Sequence, residues 1–593
     1  MDFGLFIITV VLLVLKWILF VFLNGISFSE DAVIVYSGFL VIFSSFFCLI
    51  REKRGLFFLI INGILSLLLF ANSIYMDYFG TPISAYTLLQ VGNLNGLGGS
   101  VRALIRPVQF LYFIDFPFYI YFYHRMPPSE GEGERMVPWF FRLLAMGLVL
   151  LLIPFVSDYF QKGTRGVSLH EGTDYIARYS LIGYQIADVA SLLQEGQTVL
   201  AAEEKDEIAE WFKEKNREPR IDRDLSLYGF GKEKNLIVIQ VESLQNFVIG
   251  REVNGQEITP NLNRLLKHSI YFPSFYPQTI EGNSSDAEFL TQVSLYPLEK
   301  GSVYYLYPDH RYFSLGEWMK SRGYRTVAIH ADDASYWNRD DVYPNLGFDD
   351  YLSIDDFEVD EEIGMGLGDL SMFRQAAKFL SEMKEPFYSF LITLTNHTPF
   401  DLPEEYRKLN LQGELDESIL GGYLQSVHYT DRAIGKFLED LDRQGLLKNS
   451  VVAIYGDHDG IFEKEKGLVE KYLSHGEIND EEWIQTYVPV PLIIYNPGLE
   501  GEVIDKVGGQ IDFLPTIGQI MGFNENMLYF SMGDNLFLSK KGAAIIPKGD
   551  YSQKPSYVVT DRGIRENLNE EEQKVLEISN LIIKGDYFRE MEK

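Results

Sequence analysis

Residues 451–460 read Val-Val-Ala-Ile-Tyr-Gly-Asp-His-Asp-Gly. The apolar and aromatic run from Val451 to Tyr455 has the length of a buried strand, although a helix fragment fits the same pattern. Gly456 breaks the run, and Asp457 and His458 follow side by side. Ligands in open α/β sheets collect outside the carboxyl ends of the strands, so a carboxylate and an imidazole at this point suit a divalent cation. Taken alone, the stretch reads equally well as a polar turn. Recurrence gives it weight.

Asn235 to Val241 is a second strand candidate, and it runs into Glu242 and Ser243. Thr326 to Ile329 runs into His330, and Phe387 to Leu394 into Thr395, Asn396 and His397. Three of the nine histidines and a carboxylate thus stand at the same end of four candidate strands. They form one site only if those strands are parallel neighbours. Short β-rich runs alternate with helical stretches from about residue 223 onward, which predicts a sheet with helices on both faces.

A possible nucleophile lies in Glu281-Gly-Asn-Ser-Ser-Asp-Ala-Glu-Phe-Leu290. Ser284 or Ser285 can N-cap a helix that begins here; with Ser285 as the cap, Glu288 stands three residues on, the capping-box spacing. The same physics has a chemical use. A helix N-terminus offers free N–H groups and partial positive charge to a phosphate, and a hydroxyl there beside a dication becomes a nucleophile. Trp337-Asn338-Arg339 follows His330 closely; Arg339 has the planar fork that grips a phosphate, and Trp337 has the bulk to wall a pocket. A surface Arg beside a core Trp is the plainer alternative.

The 593 residues exceed one domain, and a formal net charge of −31 argues against a nucleic-acid partner, which requires a basic face. The lone cysteine, Cys48, excludes a disulfide framework and a cysteine-based zinc site within one chain. Apolar runs near 3–24, 32–50, 55–75, 107–123 and 137–157 each approach the ~17–25 residues that cross a bilayer. Lys16 interrupts the first run, and Asp115 and Pro117 the fourth. The base-rich loop Arg51-Glu52-Lys53-Arg54 reads as cytoplasmic, as do Arg125, Arg135 and Arg142 around the last run. That puts the N-terminus inside and the chain after about residue 158 outside, with Arg102 and Arg106 running against the rule. Gly96, Gly98 and Gly99 suggest a connection that dips toward the membrane. The expected organisation is a five-helix membrane domain (1–157), a helical connector (158–222), an extracellular α/β domain (223–560) and a C-terminal helical tail packed on it (561–593). Val199-Leu200-Ala201 has the pattern of a signal-peptidase site, and a spacer helix explains it as well.

Several marks together resemble the lipoteichoic acid synthase family of membrane-anchored phosphoglycerol transferases, within the alkaline phosphatase and sulfatase superfamily. They are Val241-Glu242-Ser243, Thr259-Pro260-Asn261-Leu262, Ser285-Asp286, His330 with Trp337-Asn338-Arg339, Leu394-Thr395-Asn396-His397, Tyr455-Gly456-Asp457-His458, and Gln510-Ile511-Asp512 before Pro515-Thr516. The resemblance implies a sulfatase-like domain with a mixed, mostly parallel sheet. It implies Glu242, Asp457, His458 and Ser284 as ligands of one manganese ion, with Ser284 as nucleophile and His330, Trp337, Arg339 and His397 in the substrate pocket. Carboxylates, an imidazole and a hydroxyl also suit manganese or magnesium on their own chemistry. The implied donor is phosphatidylglycerol, the acceptor a glycolipid or a growing polyglycerolphosphate chain, and the setting the cell membrane of a Gram-positive-type bacterium. The synthases typically carry Lys-Thr-Ser-Asp where this chain has Asn283-Ser284-Ser285-Asp286, and Thr398 and Asp459 replace aromatic pocket positions. A primase adding only the first unit, a phosphoethanolamine-type transferase and an inactive envelope scaffold stand as alternatives.

Overall fold

The computed structural model describes residues 2–27, 29–50, 54–79, 82–87, 89, 105–125, 136–162, 172–194, 198–217, 227–474, 476–547 and 556–592. Arg51 to Lys53, Arg102, Arg135 and the glycines at 96–99, used above for orientation, lie outside the described residues. Two compact units divide between residues 196 and 197.

The first unit contains α1 (Asp2–Leu23), α2 (Glu30–Leu49), α3 (Arg54–Phe79), α4 (Phe116–Arg125), α5 (Val137–Lys162) and α6 (Gly172–Gln194). Among the described residues, four helices are long and apolar enough to cross a membrane: Phe6–Leu23, Glu30–Leu49, Gly55–Asp77 and Val137–Asp158. The run at 107–123 is not one continuous helix. It forms a seven-residue 3-10 helix, Pro107–Phe113, and then the ten-residue α4. The break falls at Asp115, whose carboxylate is 2.8 Å from Lys16 Nζ and accepts from Asn62 Nδ2 at 2.8 Å. Lys16 also donates to Asn62 Oδ1 and Ser66 Oγ, both at 2.8 Å. All four side chains are buried. The two charges that interrupt apolar runs therefore meet, because an unpaired charge among apolar helices is costly.

The second unit is built on a mixed sheet. Its main strands are β1 (Asn235–Val241), β2 (Ser269–Tyr276), β3 (Arg325–His330), β4 (Asp350–Leu352), β5 (Phe387–Ile392), β6 (Ser450–Gly456), β7 (Val490–Tyr495) and β8 (Glu502–Val503). They lie in the order β8-β2-β7-β6-β1-β5-β3-β4. From β6 to β4 every neighbouring pair is parallel, while β7 is antiparallel to both of its neighbours. Both faces of the sheet are covered, which is why β1 and β6 read as unbroken apolar runs. Leu236, Val238, Val451, Ala453 and Tyr455 enter one core with the helices α8 (Asn283–Val293) and α11 (Phe513–Met521). Ile237, Ile239, Val452 and Ile454 enter the other, with α9 (Asp369–Glu382) and α10 (Ile419–Arg443).

The stretch 158–222 divides between the units. Helix α6 packs on α2, whereas α7 (Ala202–Lys215) belongs to the second unit and packs on α12 (Glu570–Lys584). Ile578, Ile582, Ile583 and Phe588 of the C-terminal segment are buried in the first of the two cores.

Replacing Lys16 by Leu leaves Asp115 buried without its cation. The expected loss is about 3–5 kcal/mol, seen as a lower unfolding temperature of the full chain in detergent micelles. Replacing Asp115 by Leu as well should recover most of it.

Candidate active site and metal centre

Register brings the carboxyl ends of the central strands level. Val241 lies opposite Gly456, Gln240 opposite Ile392, and Ile392 opposite His330. Residues that follow these positions converge although more than two hundred positions separate Glu242 from Asp457 in the chain. Among the described residues, Glu242, Asp457 and His458 form a group whose ligand atoms all lie within 4.8 Å of one another. His458 Nε2 is 3.5 Å from Glu242 Oε1 and 3.6 Å from Asp457 Oδ2. Its Nδ1 faces the Asp459 carbonyl at 3.0 Å, so in the neutral ring the proton sits there and Nε2 offers its lone pair to the group.

Ser284 completes the cluster from α8. Its Oγ donates toward Glu242 Oε2 at 3.3 Å and lies 3.4 Å from His458 Nε2. The helix start differs from the sequence expectation. Gly282 is the N-cap, and Ser285 does not cap: its Oγ donates to the Gly282 carbonyl and meets Ser302 Oγ at 2.9 Å. Asp286, not Glu288, reaches back, accepting from the Gly282 and Ile280 amides. The helix begins earlier than the box required, so Glu288 turns into the core instead of back to the N-terminus.

The charge balance asks for a cation. Burial, and then the facing Glu242, push the Asp457 carboxyl up to about 7. Burial opposes an imidazolium at His458, yet Asp457 and Glu242 outweigh it and raise its pKa to about 9. Asp457 Oδ1 accepts from the Ser243 and His458 amides, whereas its buried Oδ2 has no hydrogen-bond partner. That orphaned oxygen faces the cluster, and the separations match the roughly 3–3.5 Å edges left by ligands about 2.1 Å from a shared centre. The donor set fits a hard divalent ion.

Residues 234–523 match the Sulfatase family, and residues 1–198 match the lipoteichoic acid synthase N-terminal domain. Lipoteichoic acid synthase of Staphylococcus aureus is 32% identical over 576 residues, covering 92% of this chain and 87% of the relative. The chain belongs to the lipoteichoic acid synthase family. It is a sulfatase-like phosphotransferase with an apolar, membrane-anchoring N-terminal region. The crystal structure of the lipoteichoic acid synthase LtaP from Listeria monocytogenes superposes with a TM-score of 0.56 at 26% identity, covering 64% of this chain and 98% of that one.

In this synthase-family chain the four pocket residues expected from sequence take different positions. His330 is buried, with Nδ1 3.1 Å from the Ile392 carbonyl; burial and then the charge of Arg339 hold it neutral. His397 is partly exposed, with Nδ1 2.7 Å from the Thr398 carbonyl, and burial lowers its pKa. Both histidines thus offer Nε2 as an acceptor. Trp337 is buried and has φ 58°, and Asn338 has φ 55°. Two successive non-glycine residues in the left-handed region store strain that their surroundings must sustain. Arg339 is not a surface residue: it is buried, and Nη2 meets Glu288 Oε1 at 2.6 Å while Nε lies 3.0 Å from the same oxygen. Tyr343 donates to Glu288 Oε2 at 2.8 Å, and Arg339 Nη1 donates to the Tyr336 carbonyl at 3.3 Å. Much of the guanidinium therefore ties the Trp337 segment to α8.

The positions that hold the cluster in place escaped the sequence reading of roles. Thr393 Oγ1 accepts from the Glu242 amide at 2.9 Å, and Asn396 Nδ2 donates to the Glu242 carbonyl at 2.9 Å. Gln510 Nε2 donates to the carbonyls of Gly456 and Asp457 at 3.1 and 2.6 Å, holding the turn that carries Asp457 and His458. Asp332 lies beside His330, its Oδ2 4.0 Å from Nε2. The Thr259-Pro260-Asn261-Leu262 mark is anchored elsewhere, by Asp431 of α10, which accepts from the Asn261 and Leu262 amides. For Asn396 and Gln510 their presence in the family marks was the available signal; Thr393 and Asp332 lie outside those marks.

Two outcomes follow. Uptake of a divalent cation by the metal-free chain should release protons and weaken as pH falls, by roughly tenfold per pH unit between about 7 and 9, where His458 must shed its proton, and more steeply below about 7, where Asp457 must as well; calorimetry in buffers of different ionisation enthalpy reads both. Arg339→Ala should cost about 3–5 kcal/mol of stability by stranding Glu288, so its unfolding temperature should fall along with any change in donor KM.

Proposed function

We propose that the chain transfers glycerol phosphate from phosphatidylglycerol, through a covalent ester on Ser284, to a glycolipid or a growing polyglycerolphosphate chain. The observation that carries this reading is the Ser284 hydroxyl, at the start of a helix and 3.3–3.4 Å from Glu242 and His458. In the first step Ser284 Oγ forms a bond to phosphorus, the bond to the diacylglycerol oxygen breaks, and the proton leaves with diacylglycerol. In the second step the acceptor hydroxyl displaces Ser284, which regains a proton. His397 and His330, with Nδ1 committed to backbone carbonyls, are the bases at hand for that hydroxyl. Partial positive charge at the α8 N-terminus favours the phosphate there. Glu242, Asp457, His458 and Ser284 would hold a dication, which would supply Lewis acidity at the hydroxyl and offset phosphoryl charge; the oxygen-rich set favours manganese, with magnesium as the substitute.

The lipid donor and the apolar helices belong together. In this reading the 107–125 segment completes a fifth pass, the N-terminus is cytoplasmic, and the catalytic domain faces outward at the membrane of a Gram-positive-type cell. The four long apolar helices and the synthase relatives support it.

Full-length chain in micelles, given fluorescent phosphatidylglycerol and manganese, should release diacylglycerol. Ser284→Ala should slow this by roughly a thousandfold or more and abolish the glycerophosphoryl adduct on the protein. Product size then separates a polymerase from a primase. An adduct that survives the substitution would remove Ser284 from the role.

A further inference from the structure

Ser284 is held from two sides by one segment of chain. Glu242 meets its hydroxyl, and Gln240, two residues earlier in β1, donates from Nε2 to its backbone carbonyl at 3.2 Å. Gln240 is fully buried and sits on the face of the sheet covered by α8. Its Oε1 accepts from the Tyr455 hydroxyl at 2.6 Å. That hydroxyl lies 2.8 Å from Thr291 Oγ1, on the same helix two turns beyond Ser284. The amide of Gln240 thus forms a crossbar: β1 to the first turn of α8 directly, and β1 to Thr291 of the same helix through Tyr455 of β6.

The core on that face of the sheet is apolar and includes Val238, Phe289, Phe513 and the ring of Tyr455. A leucine would pack in such a core without obligations, whereas a buried amide is tolerated only when its groups are paired. A hydrogen bond also specifies distance and direction, which apolar packing does not. We infer that Gln240 is a positioning residue for the transfer reaction: it sets the height of α8 over the sheet, and with it the reach of Ser284 Oγ toward Glu242 and His458. The inference rests on Ser284 being the nucleophile proposed above. Tyr455 acts behind Gln240, orienting the amide so that its N–H side faces α8. Neither side chain needs to touch substrate.

The test compares wild type, Gln240→Met, Gln240→Glu, Tyr455→Phe and the double variant Gln240→Met/Tyr455→Phe as full-length chain in micelles, with fluorescent phosphatidylglycerol and manganese. Methionine keeps the length and loses the donor, and glutamate keeps the shape without an N–H. Misplacing a reacting atom by 1 Å costs about a hundredfold, so kcat should fall roughly 10- to 100-fold in both Gln240 variants, with donor KM and manganese content unchanged. Tyr455→Phe should fall less, and the double variant should match Gln240→Met, because the two groups act in series. If Gln240→Met does not fold, Tyr455→Phe decides: a fall in kcat at constant KM supports the crossbar, and wild-type kcat overturns it. Wild-type kcat in Gln240→Met, or a fall matched by lost manganese, also overturns it. Diacylglycerol release by Ser284→Ala at the wild-type rate would instead overturn the nucleophile assignment, whatever the Gln240 variants do.

Discussion

Two buried carboxylates, Glu242 and Asp457, face each other across the level ends of neighbouring parallel strands, and the rest of the second unit is arranged around that repulsion. Burial and the facing Glu242 disfavour the Asp457 anion there. The answer visible in the structure is to surround them with donors on one side and to leave lone pairs converging on the other. Amides of Ser243 and His458 take Asp457 Oδ1, and Ser243 Oγ takes Glu242 Oε1 at 2.9 Å. What remains is an opening lined by oxygen and one imidazole nitrogen, with room for a positive charge.

Rigidity in this site is built from backbone hydrogen bonds made by buried amide and hydroxyl side chains. Gln510 holds the Asp457 turn, Thr393 and Asn396 hold Glu242, and Gln240 holds Ser284. The buried Arg339–Glu288 pair extends the same principle to the strained Trp337–Asn338 segment. A charge pair sealed in the core contributes specificity of position more than net stability, and breaking it from one side is what costs. The membrane unit uses the same device in Lys16 and Asp115, where the pair gathers α1, α3 and the break before α4.

The strand ends were readable because buried parallel strands are apolar throughout and stop abruptly at polar residues. The strand from Asn235 to Val241 and the one around Val451 to Tyr455 emerge where the apolar runs lie, and Glu242, Asp457 and His458 meet as their positions after the strands suggest. A helix start was readable at Ser284-Ser285, and the family resemblance singled out Ser284, but the Gly282 cap was not legible. Ser285 and Glu288 satisfy the capping-box spacing, yet tertiary contacts with Ser302 and Arg339 claim both side chains. Arg339 looked like a phosphate fork because its partner, Glu288, is fifty-one positions away in the chain.

Local chemistry in the sequence determined which residues had to be dealt with: apolar runs too long to leave in water, a carboxylate and imidazoles at strand ends, and charges that break the membrane stretches. Pairing was beyond it. Whether β6 lies beside β1, which way α8 faces, and that Lys16 reaches Asp115 are properties of register and packing, set by contacts between residues far apart in the chain. Sequence periodicity records the face a residue occupies; only the closed fold decides what stands on the other side of it.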